Sequence, residues 1–205
     1  MPPARPRTAP PGHLGRLADG GLVRVETSGR HRYVRLAGRD VVEAVEALAR
    51  LAPAKPVRSL RQGAHAEALR KARTCYDHLA GRLGVAVCDA LTAAGTVRAE
   101  PDPDGRTDPV VGAGRSQRYV LTPQGDERLA AFGVDLGRGR RPLIRYCLDW
   151  SEQRPHLGGR LGAALLARLT DLGWVTRCDR RVVRVTPAGR TGLTAELGVP
   201  KAALR

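Results

Sequence analysis

A seven-residue phrase is written twice in the chain, and that repetition limits the fold more than any other feature. HLAGRLG at 78–84 returns as HLGGRLG at 156–162. Downstream of each copy the same punctuation follows. Leu91, Thr92 and Gly95 recur at the same offset as Leu169, Thr170 and Gly173. Leu121, Thr122, Pro123 and Gly125 match Val185, Thr186, Pro187 and Gly189, after the first copy spends fourteen extra residues on a loop. Glycine ends a helix by adopting the left-handed conformation, and Thr-Pro begins one, so both copies predict helix, stop, strand, loop, strand, helix.

An earlier stretch, HLGRLADGGLVRVETSGRHRYVRL over 13–36, fits the same plan. Leu14 and Leu17 share a helical face, and Gly20 and Gly21 form the stop. Leu22, Val23 and Val25 open an alternating pattern that Tyr33, Val34 and Leu36 resume after the turn at Ser28 and Gly29. Arg24, Arg30, His31, Arg32 and Arg35 surround that turn. A helix followed by a two-stranded ribbon with a cationic tip is the build of a winged helix, and such a tip suits phosphate contact or minor-groove insertion. Of the three units, this one alone is expected to carry a dense cationic wing.

The remaining segments complete a fold class of mainly α with small β-wings (α+β): a partial winged helix followed by two winged-helix-like repeats. Residues 1–12 are proline-rich and expected to be disordered. Residues 13–52 are expected to hold the partial winged helix and a helix over Gly38–Leu51, whose stripe of Val41, Val42, Val45, Leu48 and Leu51 suits a dimer partner. Pro53 and Pro56 mark a linker over 53–58. The first repeat spans 59–136 and opens on a helical region capped by Ser59, with Leu60, Ala64, Ala68, Leu69, Ala72, Tyr76 and Leu79 at helical spacing. The second spans 137–205, with helices from Gly158 to Leu172 and from Pro187 to Leu197.

The net charge of +15 points to a polyanionic partner, most simply nucleic acid. Only three of the 35 basic residues are Lys, a bias that a GC-rich genome also produces. Scarce aromatic residues argue against a base-stacking platform for single strands. No apolar run is long enough to span a membrane, and the basic, proline-rich start lacks the apolar stretch of a secretory signal, so a cytoplasmic protein is expected. Its cysteines (Cys75, Cys88, Cys147, Cys178) form no CxxC pair and read as reduced thiols.

Two clusters have ligand chemistry. Cys75 with His78 would share one face of a helix, and Cys147 lies near Asp149, Glu152 and His156. Thiolate plus imidazole suits zinc or copper, and the repeat could bring both clusters to matching positions. An isolated cysteine at helical spacing is, however, usually a small buried hydrophobe, and histidines at equivalent repeat positions can cap or pack. These four residues are candidates only; no metal site and no cofactor is assigned. Asp102, Asp104 and Asp108 lack the spacing of a calcium loop and read as a solvated turn. Without a phosphate loop, paired-carboxylate spacing or nucleophile elbow, no enzyme is expected.

HLGRLADGGLVRVETSGRHRYVRLAG resembles the second half of the winged helix-turn-helix of ArsR-type bacterial transcriptional regulators. ARTCYDHLAGRLGV and CLDWSEQRPHLGGRLGAALL, within 57–199, are similar to the long C-terminal extension of an actinobacterial-like subgroup. The resemblance implies a homodimeric repressor whose recognition helix enters the major groove of double-stranded DNA while its wing touches the backbone. It implies DNA contacts at His13, Arg16, Arg24, Arg30, His31 and Arg32, and an N-terminally truncated reading head, with Pro10, Pro11 and Gly12 where the helix would begin. The family's metal motifs do not carry over, since the Gly38–Leu51 helix has no Asp-x-His pair. The alternative is a non-DNA-binding effector-sensing or dimerisation module, with a Cys/His metal or thiol sensor.

Overall fold

The computed structural model describes residues 12–28, 31–51, 59–101 and 117–204. The stretch 1–11, the linker region 52–58 and the loop holding Asp102, Asp104 and Asp108 lie outside them. The chain divides into two compact units, Met1–Ala54 and Lys55–Arg205.

In the first unit, α1 (His13–Asp19) leads to an antiparallel hairpin of β1 (Val23–Ser28) and β2 (His31–Leu36), then to α2 (Arg39–Leu51). The helix ends as its Gly-Gly stop predicts. Gly21 takes a φ of 70°, its N–H donates to Ala18 O, and Leu22 N–H donates to Leu17 O at 2.8 Å. This paired closure satisfies carbonyls that the last turn would otherwise leave open. The same two bonds recur after α4 and α6, from Gly95 to Thr92 and Thr96 to Leu91, and from Gly173 to Thr170 and Trp174 to Leu169.

The second unit begins with α3 (Leu60–Lys71), capped by the Ser59 hydroxyl accepting from Gln62 N–H. Two copies of one sequence of elements follow. The first is hairpin β3 (Arg73–Cys75)–β4 (His78–Ala80), helix α4 (Gly81–Ala93), hairpin β5 (Val97–Pro101)–β6 (Gln117–Leu121) and helix α5 (Pro123–Ala131). The second is β7 (Arg145–Leu148)–β8 (Pro155–Gly158), α6 (Gly159–Asp171), β9 (Val175–Arg177)–β10 (Val183–Val185) and α7 (Pro187–Leu197). Equivalent residues sink together: Leu83 with Leu161, Leu91 with Leu169, Val97 with Val175 and Leu129 with Leu193 all lie inside one shared core.

Two expectations are corrected. The helical region from Ser59 does not reach Leu79: it ends at Lys71, and Ala72 is already extended. Cys75 and His78 therefore do not share a helix face; they are opposite residues closing the β3–β4 hairpin. Every residue of β3 and β4 is buried. A ribbon covered on both faces shows no polar alternation, so its apolar residues imitated helical spacing. Residues 145–158 form the equivalent hairpin β7–β8 of the second copy.

The copies interlock reciprocally, with α4 packed on β8 and α6 packed on β4. The last glycine of each seven-residue phrase leaves room for a carbonyl of the hairpin before it, and Gly162 also for His78 of the other copy. A Cβ on Gly162 would sit 2.1 Å from Leu157 O and 2.9 Å from His78 Cβ; one on Gly84 would sit 2.6 Å from Leu79 O. The Thr-Pro starts are equally tied. Thr122 Oγ1 donates to Gly95 O and accepts from Gly125 N–H, and Thr186 Oγ1 does the same with Gly173 and Gly189.

Alanine normally gains about 1 kcal/mol over glycine inside a helix. At Gly162 the overlap with backbone outweighs that gain, and Gly162→Ala is expected to lower stability by about 3 kcal/mol. At Gly173 a Cβ meets nothing, so Gly173→Ala is expected to cost only the strain of its left-handed backbone, about 1 kcal/mol. Urea unfolding of both variants checks the order.

Candidate functional site

Two regions carry chemistry, one in each unit. In the first, β1 pairs with β2 so that Arg24 faces Arg35 and Glu26 faces Tyr33. Arg35 is bound to Glu26 at 2.6 Å across the exposed face. His13, Arg16 and Arg24 are all exposed. His31 and Arg32 begin β2, and Arg30 lies outside the described residues. Leu14, Leu17 and Leu36 are exposed as well, so the apolar face expected on α1 is uncovered. A dense cationic hairpin is not confined to this unit. Arg177, Arg180, Arg181 and Arg184 surround the β9–β10 hairpin, all exposed, which corrects the expectation of a single cationic wing. The four arginines fall within eight consecutive residues, and the hairpin closes them into one tip.

The second region lies inside Lys55–Arg205. The reciprocal packing brings Cys75 and His78 of one hairpin against Cys147 and His156 of the other, and one ligand atom from each lies within 4.8 Å of the rest. The sulfurs are 3.8 Å apart and the imidazole Nε2 atoms 3.2 Å apart. Cys75, His78 and His156 are buried, and Cys147 is half-buried. The β3–β4 connection is only Tyr76 and Asp77, and Tyr76 adopts a φ of 60°. That conformation costs a non-glycine residue about 1–2 kcal/mol and fixes where Cys75 and His78 point.

Each histidine has a carboxylate behind it. His78 Nδ1 lies 3.3 Å from Asp77 Oδ1, and His156 Nδ1 lies 3.9 Å from Asp149 Oδ2 without a hydrogen-bond partner. Each carboxylate is held by an arginine. Arg141 forks onto Asp77, and Arg73 binds Asp149 at 2.8 Å with both side chains wholly buried. Asp149 also accepts from the backbone N–H groups of Gly81, Ser151 and Glu152. Arg73 further lies over the Trp150 ring at 4.4 Å. Glu152, grouped with the ligand candidates by sequence, is not one of the four.

The electrostatics follow from these contacts. The neighbouring Cys147 thiol and burial push the Cys75 thiol up to about 12. Burial opposes protonation of both histidines. It prevails at His156, whose pKa is lowered, while Asp77 and Cys75 hold that of His78 above the ordinary value. Burial likewise opposes ionisation of Asp149, yet Arg73, Ser151 and Gly81 hold its carboxyl at about 2.

The chain is 35% identical over 191 residues to the HTH-type transcriptional regulator YdfF of Bacillus subtilis (strain 168), an alignment covering 91% of this chain and 78% of the relative. The chain belongs to the HTH-type transcriptional regulators. No protein-family model matches the regulator, and no solved structure matches it. Among the described residues, no helix of the regulator is long and apolar enough to cross a membrane.

Sequence reasoning found the four clustered residues but missed Arg73, Asp77 and Arg141. A signal was present. Arg73-Thr74-Cys75-Tyr76-Asp77 and Arg145-Tyr146-Cys147-Leu148-Asp149 share an R-x-C-x-D pattern that extends the repeat upstream. Because Asp149 titrates near 2 folded and about 3.9 unfolded, its contribution of about 2 kcal/mol is present above pH 4 and lost as pH falls through 2. Asp149→Ala is expected to cost about 3 kcal/mol at neutral pH by stranding buried Arg73, with the gap to the parent narrowing toward pH 3. Urea melts in chelator at both pH values check it.

Proposed function

We propose that this regulator is an ArsR-type repressor that binds double-stranded DNA through a partial winged helix in Met1–Ala54. The observation that carries this is the basic β1–β2 hairpin directly after α1, with His13, Arg16 and Arg24 exposed, in a chain of the HTH-type family. In this reading α1 is the late part of the recognition helix, and the hairpin is the wing that touches phosphates. Arg30, His31 and Arg32, next in the sequence after β1, add to the basic character of this stretch. The protein works in the cytoplasm as a homodimer. Val45 and Leu48 of α2, 45% and 65% exposed, supply an apolar stripe for a partner helix. The α3–α7 unit, a pair of winged-helix-like repeats, is the effector part.

Backbone contact by a cationic wing makes a definite demand on salt. Duplex affinity is expected to fall steeply as salt rises, with a logarithmic slope of about 0.9 per phosphate contacted. Arg16→Ala and Arg24→Ala together are expected to weaken binding evenly across sequences and to lower that slope by about 2. Fluorescence anisotropy with two unrelated duplexes over a salt series measures both. Affinity indifferent to salt would remove the wing reading.

A further inference from the structure

We propose that Cys75, His78, Cys147 and His156 bind one Zn2+ ion, which pins the β3–β4 hairpin to the β7–β8 hairpin at the centre of Lys55–Arg205. The inference does not rest on the DNA reading, and it concerns a site in the other unit.

Four observations carry it. First, the spacing is that of a tetrahedral coordination shell. Zinc–sulfur bonds of about 2.3 Å and zinc–nitrogen bonds of about 2.0–2.1 Å give tetrahedral edges of about 3.8 Å between sulfurs and about 3.4 Å between nitrogens. The corresponding distances are 3.8 Å for Cys75 Sγ to Cys147 Sγ and 3.2 Å for His78 Nε2 to His156 Nε2. All four donor atoms fall within 4.8 Å of one another, so the longer sulfur–nitrogen edges close by a small side-chain shift.

Second, the histidines are oriented as ligands. Both present Nε2 inward and Nδ1 toward a carboxylate, Asp77 for His78 and Asp149 for His156. A metal-bound imidazole donates its remaining N–H to such a carboxylate, which fixes the tautomer; His78 is placed to do so at 3.3 Å, and His156 faces Asp149 at 3.9 Å, just outside hydrogen-bond distance. Without an ion, two facing Nε2 atoms must share one proton, and a buried Nδ1 of His156 goes unpartnered. With an ion, both Nε2 lone pairs are used, and each ring keeps its proton on Nδ1, on the side of its carboxylate.

Third, the charge balances. Asp77 is already neutralised by Arg141 and Asp149 by Arg73, so the second layer adds no net charge. Two thiolates and two neutral imidazoles carry −2, which a divalent ion cancels and a monovalent ion does not. Burying an uncompensated charge is expensive, so this balance selects Zn2+ over Cu+. Binding releases the two thiol protons to solvent, and no electron moves. Four protein donors complete the tetrahedron and leave no open position for water, which makes the ion a structural bolt rather than a catalyst.

Fourth, the ligands come in equal halves from the two copies, one cysteine and one histidine each, at the places where the repeat aligns. Coordination therefore ties the copies to each other rather than closing a single loop.

The test uses the full chain purified without a polyhistidine tag, its zinc measured by inductively coupled plasma mass spectrometry. About one zinc per chain is expected. Cys75→Ala, Cys147→Ala, His78→Ala and His156→Ala should each drop it at least tenfold, while Cys88→Ala, at a buried thiol outside the cluster, should not. Because an alanine variant could simply misfold, His78→Cys supplies a second reading: it keeps a donor and should keep the metal. Replacing zinc by cobalt should give the strong visible bands of a tetrahedral site and a thiolate charge-transfer band. Zinc below about a tenth of an equivalent after refilling under reduction, or the weak bands of octahedral cobalt, would overturn the proposal. So would a Cys75–Cys147 disulfide in protein kept from added oxidant, since it would make the pair a redox couple. No DNA is present in any arm, so this proposal and the DNA reading can fail separately.

Discussion

The carboxylate of Asp149 is the anchor on which the larger unit depends. It stands in the second copy and takes its strongest partner, the Arg73 guanidinium, from the first, with no exposure to water on either side. It also accepts the backbone N–H of Gly81, where α4 begins, and those of Ser151 and Glu152, where its own hairpin turns. A buried ion pair is weak evidence of stability by itself, since desolvation consumes most of the attraction. Its importance here is positional. One anion fixes a helix start and a hairpin turn, and misplacing either leaves charge buried without a partner.

Around that anchor the packing is a matter of what is absent from side chains. Gly84 and Gly162 leave room for the carbonyls of Leu79 and Leu157, and Gly125 and Gly189 for those of Thr96 and Trp174. These glycines are unfavourable as helix formers and are kept because the backbones they admit could not otherwise approach. Close approach then makes the leucines at equivalent positions bury completely. The repeated phrase thus encodes a chemical residue, a helix start, a core residue and a clearance in seven letters.

Much of this was legible in the sequence. The Gly stops, the Thr-Pro starts and both later helices were readable because glycine at positive φ and proline at a first turn have few other uses. The hairpin at Cys75 and His78 was not, because burial on both faces erased the alternation by which strands are recognised. The pairing of the two Cys/His halves was suggested by the repeat alone, while their distances required the reciprocal packing. The pairings of these carboxylates with their arginines were not legible: Arg73 is marked by the repeated R-x-C-x-D pattern but reaches the Asp149 of the other copy, and Arg141 has no local pattern to distinguish it.

The reciprocal packing has a consequence for how such a unit can be assembled. Each copy supplies half of the buried cluster, half of the clearance glycines and the cover for the other's hairpin. A chain with one copy would hold an incomplete cluster beside an uncovered ribbon, and could finish both only by joining a second chain around a twofold axis. Carrying two copies in a single polypeptide turns that concentration-dependent association into an intramolecular one, so the unit can form wherever a single molecule is present. It also frees the halves to diverge, and they have: one hairpin turns in two residues, the other in six, and only the longer one carries the tryptophan that covers Arg73.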